Sequence, residues 1–321
     1  MTGITAAGLT YQGESMDASP QALGELRRSD DVVEDRSELH RRMRADGYLF
    51  LPGILDREEV LTAHRAVVER LAEAEILDES YPIEEGIVRA DAQLSFMPAL
   101  ARDNAALDRV LYSGSMMAFY ESFLGGAVRH FDYTWFRAKT PGTSTATQPH
   151  YDIVFMGRGT RDLYTSWTPL HDVPYEMGGL VVLEGSHKLP LRQSYGQTDV
   201  DRYCENEGDA KSIVSRAQEE QRELTSEERQ SVHWNSTGHY SGDAIEARRE
   251  LGGRWLTAEY EAGDLLVFGM FTMHGSSDNH TDRIRLSSDS RYQLASEPVD
   301  ERWIGDDPPM HGIRAKQGMI C

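Results

Sequence analysis

Apolar residues recur at helical spacing in the first third of the chain and collect into short strand-like runs in the rest. Val60, Ala63, Val67 and Leu71 are spaced by three and four, the stripe that an amphipathic helix turns toward a core. Asp56 followed by Glu59 resembles a capping box and marks where that helix begins. Ser37 to Ala45 reads as a short helix stopped by Gly47, and Tyr48–Leu51 as a strand ended by Pro52-Gly53. A further amphipathic helix over Ser115 to Leu124 is closed by Gly125-Gly126.

From Val128 onward the runs shorten and turn residues separate them. Strands are predicted over Val128–Ala138, Tyr151–Phe155, Tyr164–Leu170, Leu180–Leu183, Leu265–Phe268 and Ile284–Tyr292. Helices first and strands after predict an α+β fold, mainly β, in which N-terminal helices buttress a jelly roll, that is, a double-stranded β-helix. Residues 1–35 carry few large apolar groups and are expected to form a mobile or loosely docked tail. Residues 36–321 then make a single domain, interrupted at about 191–254 by a long polar insertion. In that insertion Ala217 through Glu223 reads as helical, and Asn235-Ser236-Thr237-Gly238 and Ser241-Gly242-Asp243 as loop. Long connections of this kind in a compact domain are lids or substrate loops, or else disordered, and a lid is the expectation here.

A hydrophobic fraction of 39% is ample for a buried core. The formal charge of −20 argues against nucleic acid or an anionic membrane as partner, since both require a basic face. An acidic surface of this kind chiefly serves solubility. No apolar run approaches the roughly 18 residues of a membrane span, and no basic segment followed by an apolar stretch opens the chain. Cys204 and Cys321 cannot build a disulfide framework and fit a reducing compartment. The cytoplasm is the expected location, with a small molecule as partner and the oligomeric state open.

The chemistry concentrates in His150-Tyr151-Asp152, in His274 far downstream, and in Arg285 eleven residues later (285 − 274). On a strand, positions i and i+2 share a face, so His150 and Asp152 are expected to enter one cavity. With His274 they make the two-histidine, one-carboxylate facial set that leaves adjacent metal positions open, as in non-haem Fe(II) oxygenases. An arginine nearby suits a cosubstrate carboxylate, because its planar fork donates two parallel charge-assisted bonds. Arg283, nine residues after His274 (283 − 274), shares the strand parity of Arg285. His171, His187, His233, His239 and His280 read as surface or structural groups. The Gly178-Gly179 and Gly263-Asp264 pairs read as turns, since no lysine or helix start follows them as a phosphate cradle requires.

Between about Asp46 and Tyr292 several blocks occur in a telling order. They are Asp46-Gly47-Tyr48-Leu49-Phe50-Leu51-Pro52-Gly53, Gln148-Pro149-His150-Tyr151-Asp152, Trp167-Thr168-Pro169-Leu170, Gly178-Gly179-Leu180-Val181-Val182-Leu183-Glu184-Gly185-Ser186-His187-Lys188, Gly263-Asp264-Leu265-Leu266-Val267-Phe268 and His274-Gly275-Ser276, with Asn279 and Arg285 beyond. In these the chain resembles the phytanoyl-CoA dioxygenase-like family of Fe(II)/2-oxoglutarate oxygenases. The resemblance implies one iron held by His150, Asp152 and His274, and 2-oxoglutarate bound through Arg285 at the eleven-residue spacing. Ser276 matches a position whose hydroxyl helps hold the same carboxylate, and Trp167 matches a tryptophan lining that pocket or, alternatively, a core indole. The implied reaction consumes O₂ and oxidises an unactivated C–H bond, typically by hydroxylation, with release of succinate and CO₂. Because Asp152 is present, the halide chemistry of relatives with alanine or glycine there is not expected.

Tyr133, Trp135, Tyr151, Phe155, Met270 and Tyr292 flank the ligands on expected inward positions and are candidate substrate contacts, or else sandwich core. A pocket edged by Tyr and Trp suits a hydrophobic or amphipathic metabolite, such as a secondary metabolite, and nothing in the chain looks like a coenzyme A site. The competing readings are a jelly-roll metalloenzyme of another reaction type, which would have no use for Arg285, and a non-catalytic small-molecule sensor, which would have no need of an open metal site.

Overall fold

The computed structural model describes residues 8–143, 145–200, 208–222, 225, 227–228 and 238–311. A small hairpin of β1 (Thr10–Tyr11) and β2 (Glu14–Ser15) is followed by β3 (Leu23–Glu25). The helix Arg36–Asp46 then leads through Gly47 into β4 (Tyr48–Leu51). Gly47 is left-handed at φ 83°, and its amide returns to Met43 O, ending the helix as a C-cap glycine does. The helix Arg57–Glu73 starts where expected: the Asp56 side chain accepts the Glu59 amide at 3.0 Å. It buries Val60, Ala63, Val67, Val68 and Leu71, each larger side chain contributing roughly 1.5–3 kcal/mol before entropy is counted. Two more helices, Ala105–Tyr112 and Gly114–Leu124, complete this layer.

The strands that follow are β5 (Val128–His130), β6 (Trp135–Lys139), β7 (Tyr164–Pro169), β8 (Leu180–Leu183), β9 (Trp255–Thr257), β10 (Leu265–Gly269), β11 (His274–Ser276) and β12 (Arg285–Leu294). The larger sheet runs β4-β10-β7-β12-β5, with β6 also paired to β12, and all its pairings are antiparallel. The smaller sheet runs β11-β8-β9-β3, with β3 parallel to β9. Tyr48, Phe50, Trp167 and Phe268 of the first sheet form one apolar cluster with Leu180, Val182 and Leu256 of the second, so the sheets face each other. Leu49, Leu51, Val267, Leu286 and Tyr292 pack with the helices instead, which cover the outer face of the larger sheet. Period-2 alternation thus divides each strand between a sandwich interior and a helical layer.

Three expectations are corrected. The run Val128–Ala138 is split, because residues 131–134 leave the sheet between β5 and β6. The tail expected to be loose over 1–35 is docked over its described part: Leu9, Tyr11 and Leu23 are buried, and β3 adds an edge strand through backbone bonds that few apolar residues suffice to support. Of the insertion, the helix expected at Ala217–Glu223 lies earlier, at Gly208–Glu219, and shares only Ala217–Glu219 with it; a second helix spans Ala244–Leu251, and Glu223 is outside the described residues. Asn235, Ser236, Thr237, His233 and both cysteines lie outside the described residues. Among the described residues no helix is long and apolar enough to cross a membrane.

Candidate functional site

His150 and His274 are placed by one backbone bridge: each donates its amide to the carbonyl of the other, at 3.1 and 3.2 Å. The residue after His274 must be small, because a Cβ on Gly275 would lie 2.7 Å from Thr147 O. Asp152 arrives by a different route from the one expected. The segment Tyr151–Phe155 is not a strand; Asp152 has φ −62° and ψ −30° and precedes a helical turn, Ile153–Met156. A four-residue apolar run cannot be told from a short helix by periodicity, and here backbone bonds from Phe155 and Met156 to Asp152 O decide it. The turn still carries the carboxylate back beside the histidines.

The donor set is complete and buried. His150 Nδ1 lies 2.7 Å from Gln148 O and His274 Nδ1 lies 2.9 Å from Thr272 O. Donation to a carbonyl fixes the proton on Nδ1 and leaves each Nε2 lone pair facing inward. Those two Nε2 atoms stand 3.6 and 3.7 Å from Asp152 Oδ1, and the ligand atoms of all three residues fall within 4.8 Å of one another. Burial, and then the nearby His150, push the His274 imidazole down to about 3, so it is neutral. Burial opposes ionisation of Asp152, yet Arg291, His274 and His150 hold its carboxyl well below the usual range. Two imidazoles with inward Nε2 atoms and one carboxylate are the donor types a divalent cation takes.

Beside this set lies a pocket of unbalanced positive charge. Arg285 is buried, its guanidinium carbon 5.7 Å from the Trp167 ring centre, with Nη1 donating to Gly178 O at 3.0 Å and Nε without a partner. Lys139 is its direct partner across β6 and β12. The Lys139 ammonium donates to Ser276 Oγ at 3.1 Å and to Ser277 O, while Ser276 Oγ accepts the Thr147 amide at 2.8 Å. No salt bridge reaches Arg285 or Lys139 among the described residues. Burial, then Arg285, drives the Lys139 ammonium well below its ordinary value, and burial, then Arg137, lowers Arg285 to about 10. Two buried basic groups with no ion pair among the described residues fit a carboxylate ligand. Arg283, by contrast, is half exposed and lies 3.6 Å from Glu85; it precedes β12, so burial separates two arginines that parity could not. Trp167 is both things at once, a core indole 4.6 Å from the Tyr260 ring and the wall beneath Arg285.

The candidate substrate contacts divide. Phe155 stands edge-on to His150 at 5.4 Å. Trp135 lies 4.3 Å from the Arg291 guanidinium and 4.6 Å from Trp303, with Tyr133 edge-on to it. Tyr151 turns away, its hydroxyl donating to Ser186 O at 2.6 Å. Met270 faces a separate cleft of about 250 Å³ with Met43, Arg161 and Arg192. Tyr292 is on the far side of the sheet, stacked on Tyr120 at 4.1 Å and donating to Leu111 O, because its even position on β12 points to the helices.

Three groups went unnoticed in the sequence, and a fourth, His239, was given another role. Lys139 and Thr165 gave no signal beyond strand position. Arg291 shares the parity of Arg285 on a predicted strand, which was a usable signal. His239, expected to be surface or structural, packs 5.4 Å from the His150 ring and 5.8 Å from Phe155, and burial pushes it down to about 3. His171 is structural as expected, its Nε2 accepting the Leu286 amide at 2.9 Å.

Comparison with known proteins agrees with this geometry. The family model described as phytanoyl-CoA dioxygenase (PhyH) matches residues 43–287. The chain is 26% identical over 273 residues to a 1-deoxypentalenic acid 11-beta-hydroxylase of Streptomyces exfoliatus, covering 83% of each. It is 25% identical over 283 residues to the enzyme of the same name from Streptomyces arenae, again covering 83% of each. Among solved structures it resembles the non-heme alpha ketoglutarate dependent epimerase SnoN from nogalamycin biosynthesis, with TM-score 0.51, 21% identity, and 85% and 92% of the two chains covered. It also resembles EctD from S. alaskensis, solved with 2-oxoglutarate and 5-hydroxyectoine, with TM-score 0.52, 16% identity, and 91% and 87% covered. At such identities these structures speak to the fold.

Proposed function

The chain belongs to the phytanoyl-CoA dioxygenase family, and from that membership we propose that His150, Asp152 and His274 hold the Fe(II) of a 2-oxoglutarate-dependent hydroxylase acting on a small secondary metabolite. The enzyme is an Fe(II)/2-oxoglutarate-dependent dioxygenase. When bound, iron, 2-oxoglutarate and O₂ together supply the oxidation of an unactivated C–H bond, one oxygen atom entering the product as hydroxyl and the other leaving in succinate, with CO₂. The observation that carries the assignment is the convergence of two inward Nε2 atoms on Asp152 Oδ1 beside two buried basic side chains that form no ion pair among the described residues.

In this reading Arg285 receives the distal carboxylate of 2-oxoglutarate on its unpartnered Nε edge. Lys139 on β6 and Ser276 on β11 support that carboxylate, and Trp167 walls the pocket. Phe155 and His239, beside the His150 ring, and Trp135, against Arg291 with Tyr133 packed on it, are read as shaping the substrate space. Their aromatic character, together with relatives that hydroxylate 1-deoxypentalenic acid, supports a hydrophobic metabolite over a polar one. The two facing sheets support a double-stranded β-helix in one oxygenase domain, to which the docked segment carrying β3 belongs. The insertion at 191–254 is read as a lid, supported by Tyr195 donating to Gly238 O at 2.6 Å and Tyr240 to Pro149 O through its amide at 2.8 Å. A cytoplasmic location is supported by the two-cysteine sequence alone.

The test is turnover of candidate terpenoid and polyketide metabolites with iron and 2-oxoglutarate, read by mass spectrometry for a gain of one oxygen. Product formation that ignores 2-oxoglutarate would instead favour a metalloenzyme of another reaction type.

A further inference from the structure

We propose that Arg291 is a positioning residue of the metal centre: with Thr165 it occupies one oxygen of Asp152, so that the carboxylate takes a single coordination position. The inference rests on the reading of His150, Asp152 and His274 as the metal set. The two oxygens of Asp152 are used differently. Oδ1 is the one that faces both imidazole nitrogens, at 3.6 and 3.7 Å. Oδ2 accepts from Arg291 Nη2 at 3.1 Å and from the Thr165 hydroxyl.

Both donors are delivered by sheet register. Arg291 and Thr165 are directly opposed partners across β12 and β7, so a single cross-strand pair supplies both bonds. Arg291 is only 3% exposed, and its guanidinium carbon sits 4.3 Å from the Trp135 ring centre. Among the described residues its sole ion pair is with Asp152. Its Nε and Nη1 are buried without a partner. A guanidinium desolvated to this degree is costly to keep, and the one strong interaction it makes is with a metal ligand. Arg291 is therefore not a generic surface or core pair.

Coordination arithmetic gives that contact a function. A carboxylate can offer one oxygen or two to a metal. Two imidazoles and a two-oxygen Asp152 would fill four of the six positions of an octahedral ion, leaving two. A keto acid bound through two atoms, plus O₂, needs three. Keeping Oδ2 engaged by Arg291 and Thr165 preserves the third. The planar fork stacked on Trp135 holds its Nη2 in place, which a flexible ammonium would do less well.

The experiment compares R291Q, R291K and T165V with the unaltered chain, anaerobically, in three measurements. These are the Fe(II) dissociation constant by chelator competition, the fraction of the Fe(II)–2-oxoglutarate complex that binds nitric oxide as a probe for the O₂ position, read by electron paramagnetic resonance, and the melting temperature. For R291Q, Fe(II) should bind roughly 10–100-fold more weakly, and the nitric-oxide-binding fraction at saturating iron should fall. R291K, which keeps a cationic donor for Oδ2, should recover part of both losses. A merely structural arginine would lower the melting temperature and leave the nitric oxide signal unchanged in the folded fraction. If R291Q does not fold, T165V carries the test, with a weaker form of the same signature. Wild-type iron affinity and full nitric oxide binding in folded R291Q, or in T165V where R291Q does not fold, overturn the role. An unaltered chain that binds no Fe(II) overturns the metal reading itself, and is thereby distinguished from failure of Arg291 alone.

Discussion

Replacing Arg285 with alanine should weaken 2-oxoglutarate binding far more than substrate binding. The side chain is 1% exposed and has one backbone acceptor, Gly178 O, with Nε left over and no carboxylate to neutralise it. Truncating one partner of a buried, hydrogen-bonded charge pair costs about 2–5 kcal/mol, much of it from the abandoned charge. Here the abandoned carboxylate would still have Lys139, whose ammonium reaches Ser276 Oγ on the same side. The cost should therefore fall in the lower half of that range, about 2–3 kcal/mol, which corresponds to roughly 30- to 150-fold in dissociation constant. The measurement is tryptophan-fluorescence or calorimetric titration of 2-oxoglutarate into the anaerobic Mn(II)-loaded protein, so that turnover does not intervene. Arg283→Ala is the control. That side chain is half exposed beside Glu85, where an ion pair contributes little, and the change should be under about threefold. A large effect in Arg283→Ala with a small one in Arg285→Ala would refute the inference from burial and spacing alike.

Single alanine replacements of His150, Asp152 and His274 should each abolish retention of iron through desalting while the circular dichroism spectrum survives; undiminished iron in Asp152→Ala would remove it from the ligand set. Binding of 2-oxoglutarate should take up protons at a pH between the Lys139 value in the empty pocket and its value in the complex. Burial holds Lys139 well below its ordinary value in the empty pocket and a carboxylate would raise it, so affinity is full below the lowered value and falls as pH rises toward the restored one. Calorimetry at pH 8 in buffers of differing ionisation enthalpy should show that uptake in the unaltered chain and not in Lys139→Met; equal uptake in both would assign it elsewhere. Tyr195→Phe removes the hydroxyl that donates to Gly238 O and accepts the Tyr151 amide. A loss of about 1 kcal/mol should loosen the insertion and raise succinate formed without product; unchanged coupling would make the segment a passive decoration.

What the sequence made legible was whatever depended on residue type and local spacing. The strand at Leu180–Leu183 and the caps at Asp56, Gly47 and Gly125 follow from short-range chemistry and occur as expected. The gathering of His150, Asp152 and His274 was legible through the family blocks. The geometry given for it was not, since the expected strand pleat proved to be a strand-to-helix turn. Lys139, Thr165 and His239 were hidden because their partners are 137, 13 and 89 positions away (276 − 139, 165 − 152, 239 − 150); strand register brings in the first two, and a loop brings in His239. Tyr292 was misplaced because a strand buried on both faces gives no alternation from which to choose a side.

Strand β12 shows how packing far from the metal fixes the chemistry. Its even positions Leu286 and Tyr292 belong to the apolar cluster of the helical layer, while its odd positions Arg285, Ser287, Asp289 and Arg291 take the opposite face. A slip of one residue would send both arginines into the helices and both apolar side chains into the sandwich. Leu286 and Tyr292 resist that slip through their burial, and Tyr292 adds its bond to Leu111 O. The favourable area is thus on one face of the strand and the costly desolvated cations are on the other. Arg285 and Arg291 are six positions apart, roughly 20 Å along a strand, so one end of β12 addresses the expected cosubstrate and the other addresses the metal carboxylate. The helices that looked like mere buttresses in the sequence are, through β12, what keeps both cations aimed at the site.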